Sequence, residues 1–393
     1  MSQTYIFLSD GQLHRLSQGG TAILNSVVYA QYQQRLKEIQ RKNEWKTTGT
    51  GAKFTGAYDA TLNHSAQAVT TSPGISAVTA YLPQQVIYTL NVAEQGGVYI
   101  KDLQAPEARE QSILVSRTLR FYDLDAHPTS HRLAVAVSEH HQERHIALMT
   151  PDSSDCQVVT EGDSFDSNPS WSRANPQLLY YDSRGMGYDN QQFVGYGPTS
   201  IYRLNVSTQF LDEVVSDGDF DCFQPFEDAE GNLFYLKRPY KQQQGRSVLT
   251  ALKDALLAPF RLLTAVGHYL NFFTMRYSGK SLKTQGANPA KMSSQSPKQL
   301  FVAGNLLEVE KARKANERRG EKYPGYIPAS WVLMKRSPDG TETTLQQGVM
   351  SYTANTDGSI IYANGKHLIR LDATGTQTQL AKAHLATHCH TMD

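Results

Sequence analysis

Asn168-Pro169-Ser170-Trp171-Ser172, then Leu178-Leu179-Tyr180-Tyr181-Asp182-Ser183-Arg184, then Ile201-Tyr202-Arg203-Leu204, is the stretch whose reading decides the fold. It reads as a tight polar turn, an apolar strand, a connection over 185–198 and a second strand, because Tyr, Leu and Ile runs are bounded by Pro, Asn and Ser. Weaker copies flank it. Phe121-Tyr122-Asp123-Leu124 leads through His127-Pro128 into Arg132-Leu133-Ala134-Val135-Ala136-Val137 and His145-Ile146-Ala147-Leu148-Met149. Asp221-Cys222-Phe223-Gln224-Pro225-Phe226 leads through Asp228-Ala229-Glu230-Gly231-Asn232 into Leu233-Phe234-Tyr235-Leu236. Pro83 and Pro128 stand 45 positions apart, Pro128 and Pro169 41, and Pro169 and Pro225 56, and the excess of the last interval falls in 185–198. A period of roughly 40–45 residues with four strands per unit marks a β-propeller blade.

The pattern extends outward in both directions. Residues 4–16 form a hairpin about Asp10-Gly11, a pair that supplies the positive φ angles of a type I′ turn. Strands are expected over 75–82, 86–92 and 98–103, with Gly96-Gly97 between the last two. Val28, Tyr32, Leu36 and Ile39 fall three or four apart, so 26–46 is a helix with Asn25 or Ser26 as its N-cap. β pattern returns at Trp331-Val332-Leu333-Met334 and continues through Val349-Met350-Ser351-Tyr352, Ile360-Ile361-Tyr362 and Leu368-Ile369-Arg370-Leu371. Between these strands lies an apolar run over 247–275 and then a basic segment over 276–322 with eleven Lys/Arg and four Glu, of which 299–319 is expected to be helical. Removing about eighty residues from this region restores one repeat period, so an insertion splits a blade between its inner and outer strands. The N-terminal hairpin resembles 361–371 and completes the blade that the C-terminal tail begins, which closes the ring and removes exposed sheet edges. The expected fold is therefore all-β: a six-bladed β-propeller closed by N- and C-terminal strands, with two α-helical insertions. Its parts are a closing hairpin (1–24), a helical and loop insertion (25–72), blades (73–240), a helical basic insertion (241–322), and blades with closure (323–393).

The 393 residues are 39% hydrophobic and 19% charged, which is globular material. A formal net charge of +1 gives no global pull towards nucleic acid or acidic lipid. Cys156, Cys222 and Cys389 are far apart and odd in number, with no CxxC pair. The first ten residues lack a basic n-region and a long apolar run, so no signal peptide is expected and a cytoplasmic setting is.

The elements His127-Pro128…Arg132-Leu133-Ala134 and Asn168-Pro169-Ser170-Trp171-Ser172…Asp182-Ser183-Arg184…Ile201-Tyr202-Arg203-Leu204 resemble the repeat of TolB-type (WD40-like, PD40) six-bladed β-propellers. In that family the turn normally holds Pro-Asp-Gly; here it is Arg173-Ala174-Asn175-Pro176 in one copy and Thr129-Ser130-His131 in another. The resemblance implies the fold and, loosely, protein binding, because one fold hosts many functions. The helical insertions are outside the family pattern, and TolB itself is exported.

Candidate sites are few. Asp182, Arg184, Tyr188 and Arg238 sit at expected strand ends or loops and could line a propeller mouth; solvated loop residues are the competing reading. Phe260, Arg261, Phe272, Phe273 and Arg276 in the insertion could meet a partner or an acidic membrane surface, or pack on the propeller as a lid. Pro259, Arg261, Gly267 and His268 interrupt the apolar run, which argues against a spanning helix. His140, His141 and His145 read as a solvated loop, and His384, His388, Cys389 and His390 alternate in direction along a strand, so no metal and no cofactor are expected. Asp217, Asp219 and Asp221 lack the glycine placement of a calcium loop, Gly49-Thr50-Gly51-Ala52-Lys53 lacks the spacing of a phosphate loop, and Ser172 and Ser183 have no GxSxG elbow. The expectation is a non-catalytic scaffold that binds a protein partner through a propeller face or the insertion. The alternatives are a peripheral membrane protein anchored by 247–322 and a hydrolase-type enzyme with its site in the central channel. Nucleic acid is not an expected partner, since few aromatics interleave with the basic charges. Nothing in the sequence defines a small-molecule ligand.

Overall fold

The computed structural model describes residues 4–47, 74–92, 95–127, 129–139, 143–152, 155–189, 192–240, 299–302 and 305–392. The chain divides into two compact units, one of Met1–Tyr240 with Ala312–Asp393 and one of Lys241–Lys311. The first is the propeller. Its chain opens with β1 (Thr4–Ser9), β2 (Gln12–Ser17) and β3 (Gly20–Leu24), then α1 (Val27–Thr47). The first blade is β4 (Gly74–Ala80), β5 (Gln85–Val92), β6 (Gln95–Asp102) and β7 (Gln111–Ser116). The second is β8 (Arg120–Ala126), β9 (Leu133–Ser138), β10 (His145–Met149) and β11 (Cys156–Val158). The third is β12 (Ser164–Trp171), β13 (Leu178–Asp189), β15 (Ser200–Asn205) and β16 (Phe210–Val215), with β14 (Gln192–Tyr196) paired to the far end of β13.

The fourth blade starts with β17 (Phe220–Glu227) and β18 (Leu233–Pro239) and finishes with β21 (Val332–Arg336) and β22 (Glu342–Gln347), so the insertion does split it. Within the insertion, β19 (Gln299–Val302) and β20 (Asn305–Glu308) form a hairpin and α2 spans Val309–Arg318. The fifth blade is β23 (Ser351–Ala354), β24 (Ile360–Ala363), β25 (His367–Leu371) and β26 (Gln377–Lys382). The sixth runs β27 (Thr387–Met392), β1, β2, β3, so the C-terminal strand is innermost and pairs Tyr5 with Thr391 and Ile6 with His390. The protein is a six-bladed all-β propeller closed by its terminal strands.

Local chemistry accounts for most elements. Asp10 and Gly11 take φ values of 51° and 70°, the two left-handed positions of a type I′ turn. Ser26 caps α1 by accepting the Tyr29 N–H at 3.1 Å, and Glu110 accepts the Val27 and Val28 N–H groups at 3.0 and 3.2 Å. The turn after the inner strand is held by a side-chain acceptor in the second, third and fourth blades. His127 Nδ1 takes the Thr129 and Ser130 N–H groups, Ser172 Oγ those of Ala174 and Asn175, and Asp228 those of Glu230 and Asn232. Any acceptor at that position closes the turn, which is why Pro-Asp-Gly is dispensable there. Between the second and third blades, buried Trp171 packs with Ala134, Ala136, Ile146, Leu148, Leu179, Tyr181 and Leu204. Asp125 ties the same seam, accepting the Trp171 N–H at 2.8 Å and both oxygens' bonds from Arg173 at 3.0 and 3.1 Å.

Three expectations are corrected. Gly96 and Gly97 lie inside β6, opposite Asn91 and Leu90, rather than in a turn. Their role is close approach: a Cβ on Gly96 would stand 2.6 Å from the Leu119 carbonyl oxygen, and one on Gly97 2.6 Å from the Tyr99 ring. Residues 299–319 are helical only from Val309; the first half is the β19–β20 hairpin, since the Leu300-Phe301-Val302 run favours a strand and Gly304 disfavours a helix. The connection 185–198 is a β-hairpin extension, with Met186 opposite Tyr196 and Tyr188 opposite Phe193.

Antiparallel pairing has one topological consequence. Every second-to-third strand connection, and every passage from one blade to the next, emerges at one end of the barrel of inner strands. That decorated face receives the β13–β14 extension and both ends of the passage from Pro239 to Val332. The opposite, plain face has short turns such as 81–84, 172–177, 228–232 and 372–376, together with the eight-residue connection 103–110.

Candidate functional site

The inner strands β27, β4, β8, β12, β17 and β23 line the central channel. Five of them are interrupted by a bulge or a register shift. At three bulges a residue other than glycine is left-handed: Asn168 (φ 48°), Gln224 (φ 53°) and His388 (φ 48°). A bulge turns a backbone N–H out of the ladder, and a buried N–H needs another acceptor. Carboxylates supply it. Asp182 accepts the Gln224 N–H at 2.8 Å and the Asn168 amide at 2.7 Å through Oδ2. Asp123 lies 3.4 Å from both the Asn168 N–H and His388 Nε2. The Tyr352 hydroxyl donates to the Gln224 carbonyl at 2.7 Å. The result is a polar belt, His388–Asp123–Asn168–Asp182–Gln224–Tyr352, that crosses five of the six blades.

Two carboxyls in this belt are pushed apart. Burial drives Asp182, 4% exposed, up to about 7; its amide donors lower it and the Asp123 charge raises it further. Burial also raises Asp123, but His388 and the Arg144 guanidinium at 3.3 Å outweigh it and hold that carboxyl at about 2.

Above the belt, towards the decorated face, arginines and aromatic rings alternate. The Arg144 guanidinium carbon lies 3.6 Å from the Tyr122 ring centre and 4.2 Å from that of Phe165. Arg184 lies 4.4 Å from Phe165 and 4.2 Å from Tyr196, in the corner these rings make. Phe193 continues the series against Tyr196 at 4.9 Å, and Tyr188 against Phe193 at 6.1 Å. The β13–β14 extension places the last three rings.

The four mouth residues read from the sequence fall in different settings. Asp182 is inside β13 and Arg238 is the second-last residue of β18, and both are buried rather than solvated. Arg238 bonds Asp221 at 3.0 Å and stacks on Phe223 and Trp331, an ion pair that holds the fourth blade. Arg184, two residues from Asp182 on β13, is half-buried, and Tyr188 is 43% exposed. Phe260, Arg261, Phe272, Phe273 and Arg276 lie outside the described residues, as do His140, His141 and 49–53. His384 pairs with Asp10 and His388 with Asp123, while burial pushes the Cys389 thiol up to about 12 and His390 down to about 4. Asp217 bonds Lys237 at 2.9 Å, and Asp221 also holds the Thr199 N–H at 3.0 Å. Among the described residues no three His, Cys, Asp or Glu side chains converge as metal ligands, and no helix is long and apolar enough to cross a membrane. Sequence reading missed Asp123, Arg144, Phe165, Tyr196, Gln224 and Tyr352. Asp123 was within reach, since it stands four residues before His127 as Asn168 stands four before Ser172 in the next copy of the repeat; the others come together only through the ring.

No family model matches the chain, and no curated protein matches it. Solved structures do. TolB from Acinetobacter baumannii superposes with a TM-score of 0.50 at 9% identity over 100% of this chain and 66% of that one, so the chain spans about two thirds of its length. A nidogen/laminin complex structure gives 0.49 at 9% identity over 100% of this chain and 98% of that one. A Lactobacillus plantarum protein gives 0.46 at 8% identity over the whole of both chains. The protein is a six-bladed β-propeller similar in fold to TolB.

Proposed function

We propose that the protein is a scaffold that binds another protein through its decorated face. The observation that carries this reading is topological. The β13–β14 extension and both ends of the passage from Pro239 to Val332 emerge at one end, and among the described residues the connections at the other end are eight residues or shorter. A rigid frame that gathers its variable segments on one surface is the arrangement by which loops carry recognition. The channel beneath supports the same reading, because its carboxylates Asp123 and Asp182 are engaged in holding blades together. The free and well-separated thiols of Cys156, Cys222 and Cys389 support a reducing, cytoplasmic setting.

Site-specific photo-crosslinking tests the proposal. A photoreactive residue at Tyr188, on the decorated face, is expected to yield a defined protein adduct in cells. The same residue at exposed Asn175, in a plain-face turn, is expected to yield none. Equal adducts from the two positions, or none from Tyr188, sink the idea.

A further inference from the structure

The arginines near the channel differ in one respect. Arg144 is paired with Asp123, Arg173 with Asp125 and Arg238 with Asp221. Asp166 has His145 at 3.7 Å together with the hydroxyls of Thr160 and Ser183. Arg184 has none of this: the described residues give it two aromatic contacts and no hydrogen bond or ion pair. Its nearest strand neighbour, Asp182, faces the amides of Asn168 and Gln224 instead. That carboxyl, pushed up to about 7, carries only part of a negative charge at neutral pH and does not cancel the guanidinium.

Two aromatic contacts hold the flat ion in place while its N–H donors lie around its rim, free to form a two-pronged bond to a planar anion. Ordering of the long side chain, a main cost of such a bond, is already met by Phe165 and Tyr196. The neighbouring carboxyls Asp123, Asp166, Asp182 and Asp221 disfavour a doubly charged phosphate more than a singly charged carboxylate. The rings of Phe193 and exposed Tyr188 continue the surface outward, so the carboxylate is best carried beside an apolar group.

We propose that Arg184 is the anchor for a carboxylate on an acidic segment of the protein partner, received in the corner of Phe165 and Tyr196. The inference rests on the scaffold reading and names the chemistry of that partner.

The test follows the Arg184 Nε–H resonance, assigned by its absence in Arg184→Gln, during titration of the whole protein. N-acetyl-glutamate N-methylamide mimics the protein-borne carboxylate, the corresponding glutamine compound is its neutral isostere, and succinate is a free acid. The glutamate probe is expected to shift the resonance saturably below about 100 mM. The glutamine probe is expected to bind at least roughly tenfold more weakly. Other resonances of the site are expected to report a loss of similar size in Arg184→Gln, with a smaller one in Arg184→Lys, which keeps the charge without the fork. No saturable shift, equal binding of the glutamine probe, or unchanged binding by Arg184→Gln overturns the proposal. Succinate binding at least roughly tenfold tighter than the glutamate probe assigns the site to a free acid and overturns the protein-borne source. A crosslink from Tyr188 that persists when the titration fails leaves the scaffold reading standing and removes only this inference.

Discussion

Asp182→Asn is the most informative substitution in the channel. The carboxyl is 4% exposed and its ordinary value of 3.8 is raised to about 7, chiefly by burial. The native state therefore binds this proton more tightly than the unfolded chain does. The contribution is neutral when both states are protonated, below 3.8, and becomes a loss as pH rises towards the folded value of about 7. Fully developed, the loss is on the order of 4 kcal/mol, of which about 3 kcal/mol accrues between about pH 5 and about pH 8. An asparagine has the shape of the protonated acid. Its oxygen can take the Gln224 N–H and the Asn168 amide, and it carries no charge at any of these pH values. Urea unfolding followed by tryptophan fluorescence at the two pH values measures the difference. The stability of the variant relative to the parent is expected to rise by about 3 kcal/mol from about pH 5 to about pH 8. A relative stability that is flat over this range, or that falls, refutes the account of Asp182 as a buried carboxyl facing neutral donors.

Asp123→Asn has the opposite sign. That carboxyl is held at about 2, so it stabilises the fold above its ordinary 3.8 and loses the contribution as pH falls through 2; the substitution should cost about 2 kcal/mol at neutral pH and progressively less in acid, as read by unfolding curves. Lys101→Met leaves Glu110 buried without its cation at 3.3 Å, and should cost about 3–5 kcal/mol in urea unfolding; a neutral result would mean that the α1 N–H groups alone satisfy Glu110. Removal of residues 387–393 strips β27 from β1, opens the ring and exposes a strand edge, so light scattering should show concentration-dependent association; a monomer with unchanged melting would contradict closure by the tail.

The repeat period, the Asp10-Gly11 hairpin, a cap of α1 at Asn25 or Ser26, the split fourth blade and the terminal closure were all legible in the residues themselves. Each depends on interactions within a few positions, or on a spacing that any blade must keep. The misread stretches were those where a local preference has two outcomes. Leu300-Phe301-Val302 suits an apolar helix or a strand, and Gly96-Gly97 suits a turn or a close approach. The site belongs to tertiary structure. Which of Asp182, Arg184 and Arg238 is spent on the fold and which is free depends on partners distant in sequence, Gln224 for Asp182 and Trp331 for Arg238 among them. The bulges at Asn168, Gln224 and His388 are set by the facing strand and by a carboxylate of another blade, which no local pattern encodes. Sequence by itself determined the ring, because blades repeat; only the closed ring decided the chemistry of its channel, because that chemistry is made between blades.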